Sequence, residues 1–157
     1  MTNIVRVDDV AEATGSRYPP PHDAPCAARA VRRLGLAVGV EQFGVNLCRL
    51  PPGAHASLRH AHSHEDEVVL MLTGELALVD NAGERIVRAG DVMGHPAGNG
   101  DAHTLVNRSD ADATFLAIGS RSADDVATYP DIGMMTSPGR YAGGGYRRAD
   151  GAPWPGT

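Results

Sequence analysis

A chain of 157 residues, 42% hydrophobic and 21% charged, has the make-up of one soluble domain with a sizeable core. A formal net charge of −5 and only 4% aromatic residues exclude the basic, stacking-rich surface that nucleic acid requires. No apolar run reaches membrane-spanning length, and Met1–Asp9 contains no apolar leader. Cys26 and Cys48 match no zinc spacing and read as free thiols, so the expectation is a cytoplasmic protein with neither nucleic-acid nor membrane partners.

Residues 1–42 form an N-terminal arm. Within it, Tyr18-Pro-Pro-Pro21 and Pro25 exclude a helix or an inner strand. Between Arg29 and Val40 the sequence is ambiguous between a strand and a short helix, with Gly35 and Gly39 against one long helix.

From Phe43 the period becomes two. Phe43, Val45 and Leu47 share one face and Asn46, Cys48 and Leu50 the other, until Pro51-Pro52-Gly53 stops the strand. Leu58, His60 and His62 then share a face, as do Glu67, Val69 and Met71 on the next strand. Further strands follow over Leu76–Asp80, Glu84–Arg88, Val92–Met93, Ala102–Asn107 and Thr114–Ile118, separated by short turns. Seven or eight short strands with turns this close indicate an antiparallel sandwich or jelly roll, because crossover helices have no room. Residues 121–157, with Gly143-Gly-Gly145 and Pro153-Trp-Pro155, read as a mostly irregular extension over the barrel or a neighbouring subunit.

The chemistry concentrates at Gly53–Gly74, where four of seven histidines fall within ten residues. Two imidazoles, His60 and His62, and the Glu67 carboxylate from the adjacent strand make a site for a divalent cation. Such donors suit Fe(II), Mn(II), Ni(II) or Zn(II) better than Ca(II).

These residues resemble the two cupin motifs. Gly53, His60, His62, Glu67 and Gly74 follow G-x5/6-H-x-H-x3/4-E-x6-G, with six, one, four and six residues between them. Gly90, Pro96, Gly98, His103 and Asn107 follow G-x5-P-x-G-x2-H-x3-N, except for two extra residues before His103. The resemblance spans about residues 43–120 and implies an all-β cupin double-stranded β-helix, a jelly-roll barrel with N- and C-terminal arms, in one domain over 1–157. It implies one divalent metal (Fe, Mn, Ni or Zn) held by His60, His62, Glu67 and His103, a small-molecule substrate or ligand, and a homodimer. It leaves open a dioxygenase, isomerase or lyase, a non-catalytic binding module with a structural metal, and a dimerisation scaffold.

Around the four donors, His64 is the candidate proton shuttle, since imidazole titrates near neutrality. His55 and His95 read as surface or rim histidines. Glu65 and Asp66 read as solvated turn charges, with a hydrogen bond to a ligand imidazole as the alternative. Arg59 faces away from His60 by parity, Arg49 is undetermined, and Asn107 reads as a turn-stabilising residue.

Overall fold

The computed structural model describes residues 2–155; Met1, Gly156 and Thr157, and with them the end of the 121–157 extension, lie outside the described residues. The alternation of the sequence carries straight into the strands. These are β1 (Glu12–Thr14), β2 (Ala30–Arg33), β3 (Phe43–Leu50), β4 (Ala61–His62), β5 (Glu67–Thr73), β6 (Glu75–Asp80) and β7 (Gly83–Arg88). They continue as β8 (Val92–His95), β9 (Thr104–Val106), β10 (Ala113–Ser120), β11 (Ala127–Tyr129), β12 (Met134–Thr136) and β13 (Tyr146–Arg148). The seven or eight barrel strands expected between Phe43 and Ile118 number eight, β3 to β10, and the pairings among the named strands are antiparallel.

Two layers result. One is a six-stranded sheet in the order β1-β2-β3-β10-β5-β8. The other is made of β7-β6-β9 and β13-β12-β11-β4, joined where His60 and His103 form an antiparallel bridge. Each histidine donates its backbone N–H to the other's carbonyl, at 3.0 and 2.8 Å. Inward residues of both layers interdigitate: Leu50, Val69, Met71, Leu76, Leu78, Leu105 and Phe115 form the main core. Each such side chain, fully buried, stabilises the fold by about 1.5–3 kcal/mol.

Gly74 shows why the turn from β5 to β6 is so tight. Its φ is +72°, and a Cβ there would lie 2.9 Å from the Asp112 carbonyl at the entrance to β10. The N-terminal ambiguity resolves as both alternatives in succession. Ala30–Arg33 pairs with β3, and Leu34–Ala37 then makes a single helical turn, α1.

The extension after residue 120 holds more regular structure than its texture suggested. It supplies β11, β12 and β13, which continue the sheet from β4. A second core forms there, with Tyr129 and Met134 packed against Tyr18, Leu58 and Trp154. Tyr18 meets Tyr129 edge-on, at 5.4 Å between centroids, and Tyr129 in turn stacks on His60 at 5.7 Å, so the two arms meet beside the donor histidines. Three-residue strands carry too little periodicity to be read from sequence. Among the described residues no helix is long and apolar enough to cross a membrane.

Candidate metal centre

The bridge that joins the two halves of the second layer also sets the site. Residues directly opposed across an antiparallel pair project to the same side, so His60 and His103 face each other, with ring centroids 4.9 Å apart. His62 follows on β4, held opposite Ala127 of β11. Glu67 opens β5, between Gly119 of β10 and His95 of β8. His60, His62 and Glu67 each offer one ligand atom, all within 4.8 Å of one another. Donors about 2.1 Å from a shared ion lie at most about 4.2 Å apart, so little closure is needed. His103 falls outside that trio but reaches it through Glu67, its Nε2 lying 2.9 Å from Oε2.

Hydrogen bonding fixes which nitrogen each donor can offer. His60 Nδ1 lies 2.9 Å from the Leu58 carbonyl oxygen. A carbonyl only accepts, so Nδ1 carries the proton and Nε2 keeps its lone pair. His62 is set in the same way by a carboxylate, with Nδ1 donating to Asp125 Oδ2 at 2.8 Å. This imidazole-to-carboxylate contact fixes tautomer and ring orientation and makes the free nitrogen more basic. His103 differs: its Nδ1 is buried without a hydrogen-bond partner among the described residues.

The electrostatics favour the ligand forms. Burial, then the neighbouring His62 and His103, drive the His60 imidazole down to about 3, so it is neutral near pH 7. Desolvation alone would raise the Glu67 carboxyl. The hydrogen bond with His103 and the charges of His60, His103 and His62 outweigh it and hold Glu67 at about 2. A neutral imidazole and an ionised carboxylate are what a cation needs.

Sequence reasoning missed Asp125. It is fully buried, lies 63 positions from His62, and also accepts from the His64 backbone N–H at 2.9 Å. No local spacing points to it. Glu65 is buried rather than solvated: it accepts from the Ser122 N–H and the Tyr141 hydroxyl, and lies 3.9 Å from His62 Nδ1, beyond hydrogen-bond reach of that imidazole. Asp66 is exposed and accepts from the Ala97 N–H.

His95 is no surface histidine. Its ring lies face to face with His103, with centroids 3.4 Å apart and planes 7° apart. Burial and the neighbouring His103 pull it down to about 4. The same residue lines a polar pocket of about 320 Å³ in the seam between β6–β7 and β8, with Asp80, Arg85 and Asp101.

His64 is exposed, and its ring nitrogen lies 2.8 Å from Ser63 Oγ; among the described residues it joins neither donor group. His55 is half-buried and bridges to Val106. Arg59 does turn outward, pairing with Asp131 at 2.6 Å, and Arg49 pairs outside with Glu12 and Asp112. Asn107 is fully buried and ties Leu50, Ser109 and Ala111 together. Both cysteines are free, buried thiols, pushed up by burial to about 11 for Cys26 and about 12 for Cys48.

Three comparisons bear on this arrangement. The cupin domain family matches residues 46–119. A solved structure from Silicibacter pomeroyi, named a sugar phosphate isomerase from a cupin superfamily, is 41% identical over 98% of each chain, with a TM-score of 0.90. One from Acidithiobacillus ferrooxidans, provisionally named a sugar phosphate isomerase, is 31% identical over 70% of each chain, with a TM-score of 0.67. An oxalate-binding protein of Thermotoga maritima is 36% identical over 70 residues, which is 45% of this chain. The chain spans about half the length of that curated relative, 55%.

Proposed function

The chain belongs to the cupin superfamily, and from that premise we propose a divalent-metal-dependent enzyme of the isomerase type acting on a small oxygen-rich molecule. His60, His62, Glu67 and His103 are its metal donors. The observation that carries this reading is the pre-set donor group: a trio within 4.8 Å, with both outer Nδ1 atoms already committed to acceptors. A bound divalent transition metal (Fe, Mn, Ni or Zn) would supply Lewis-acid polarisation of a substrate carbonyl or hydroxyl. The chain's own residues do the rest. Leu58 O and Asp125 keep the His60 and His62 lone pairs aimed, and the proton between His103 Nε2 and Glu67 leaves when both become donors. The near-full-length likeness to the Silicibacter isomerase supports an aldose–ketose interconversion, with a sugar phosphate as the substrate class.

A second reading, a non-catalytic small-molecule-binding module with a structural metal, is favoured by the match to the oxalate-binding protein. One experiment separates the two. Metal content is measured in the wild type and in the His60→Ala/His62→Ala double variant, and a panel of aldose and ketose phosphates is followed by NMR. The enzyme reading requires near one equivalent of metal, its loss in the double variant, and metal-dependent interconversion. Metal without turnover, together with ligand bound and released unchanged, leaves the module. A wild type that takes up none of the four metals ends the metalloenzyme reading. In the same assay His64→Ala tests the expected proton shuttle, since it removes an exposed ring and leaves the donors in place.

We also infer a homodimer through the outer face of the six-stranded sheet. Val68 and Leu72 of β5 and Val92 of β8 are exposed there, beside half-buried Leu47, Leu116 and Ile118. A contiguous apolar face running across hydrogen-bonded strands is the kind of surface that marks a protein–protein contact. A second copy presents the same face, as a two-fold contact requires.

A further inference from the structure

Three donor imidazoles meet at this centre, and among the described residues only two find a hydrogen-bond partner for the outer nitrogen. His60 has the Leu58 carbonyl and His62 has Asp125. His103 finds none among the described residues for Nδ1, which is buried. Its Nε2 contact with Glu67 cannot hold the ring once both groups turn to a metal. Against its ring lie His60, tilted at 4.9 Å, and His95, parallel at 3.4 Å, and of the two only His95 covers a face. Glu67 and His95 are directly opposed across β5 and β8, so both side chains enter the same space. The His95 ring then covers His103 face to face, with the planes 7° apart, and fixes the plane of that ring. The structure assigns His95 as the positioning residue of the His103 donor: stacking sets the plane of this ring, where a hydrogen-bonded acceptor orients the other two. His95 also lines the seam pocket with Asp80, Arg85 and Asp101.

This inference rests on the metal reading above, and the test separates the two. Co(II) is titrated into the metal-free wild type and into His95→Ala, His95→Phe and His95→Gln, following affinity by calorimetry and coordination by the visible spectrum. Removing the ring should weaken Co(II) binding about 10–100-fold, the range for residues that orient metal ligands, and should shift the spectrum. His95→Phe keeps a flat face and has no nitrogen; it should restore most of the affinity and the wild-type spectrum, while His95→Gln should not. An unchanged His95→Ala overturns the inference. So does rescue by Gln and not Phe, which would make His95 a donor or hydrogen-bonding group. A wild type that fails to take up Co(II) removes the metal centre itself, and this inference with it.

Discussion

Asp125→Asn is the sharpest probe of the site, because it changes one atom in a fully buried side chain. Asp125 accepts from His62 Nδ1 at 2.8 Å through one oxygen and from the His64 backbone N–H at 2.9 Å through the other. Asparagine has one acceptor, and the His64 N–H cannot change sides. The amide NH2 is therefore turned to His62, whose Nδ1 must accept and whose Nε2 must take the proton. That is the tautomer unable to bind a cation. Loss of such a partner costs about 10–100-fold in metal affinity, or about 1.4–2.7 kcal/mol. The metal-free fold should hardly notice, since the number of hydrogen bonds is kept. Asp125→Ala instead takes the acceptor from the two close donors, His62 Nδ1 and the His64 N–H, as well as from Ser63 Oγ at 3.4 Å; the two close ones alone cost about 1–3 kcal/mol each, so about 2–6 kcal/mol. At about 2–4 °C per kcal/mol for a chain of this size, the two variants separate clearly in thermal melts. Calorimetric metal titration and nitrogen-15 NMR of the histidines read the rest. Wild-type metal affinity in Asp125→Asn, with the His62 proton still on Nδ1, would refute the tautomer argument.

Glu67, held at about 2 against an ordinary 4.5, is a depressed carboxyl, so its stabilisation is complete above about pH 4.5 and is lost as the pH falls towards 2. Metal-free Glu67→Gln should therefore show a flatter fall in Tm over that window than the wild type, and parallel curves would contradict the assignment. Asn107→Ala removes bonds to Leu50 O and Ala111 O, both at 2.7 Å, and to Ser109 N, and should cost about 2–5 kcal/mol in denaturant melts. Co(II) affinity measured below the transition should be unchanged, since none of those bonds reaches a donor. Val68→Asp/Val92→Asp should convert a dimer to a monomer in light scattering with metal stoichiometry kept; a monomeric wild type would remove the proposed interface.

The barrel and the donor group were both legible in the chain for the same reason. A strand has period two, so spacing along the sequence is direction in space. His60 and His62 share a face, and Glu67 stands with core residues Val69 and Met71. The glycines mark the turns, and Gly74 sits where a Cβ would strike Asp112. The outward parity of Arg59 held, because it too depends only on neighbours along the strand.

What lay beyond reach is whatever depends on two distant segments meeting. His95 reads as a surface or rim histidine because no spacing relates it to His103; only the β5–β8 register brings it beside Glu67 and onto that ring. Glu65 looks like a solvated turn charge until residues 122 and 141 fold over it. Asp125 lies in a stretch whose strands are three residues long, too short to announce themselves, yet its carboxylate sets the tautomer of His62. The sequence by itself determined which nitrogen and oxygen donors share a face, since that is a matter of residue type and strand parity. The tertiary structure alone decided what holds those atoms in their binding form, since those partners come from segments that only chain closure brings together.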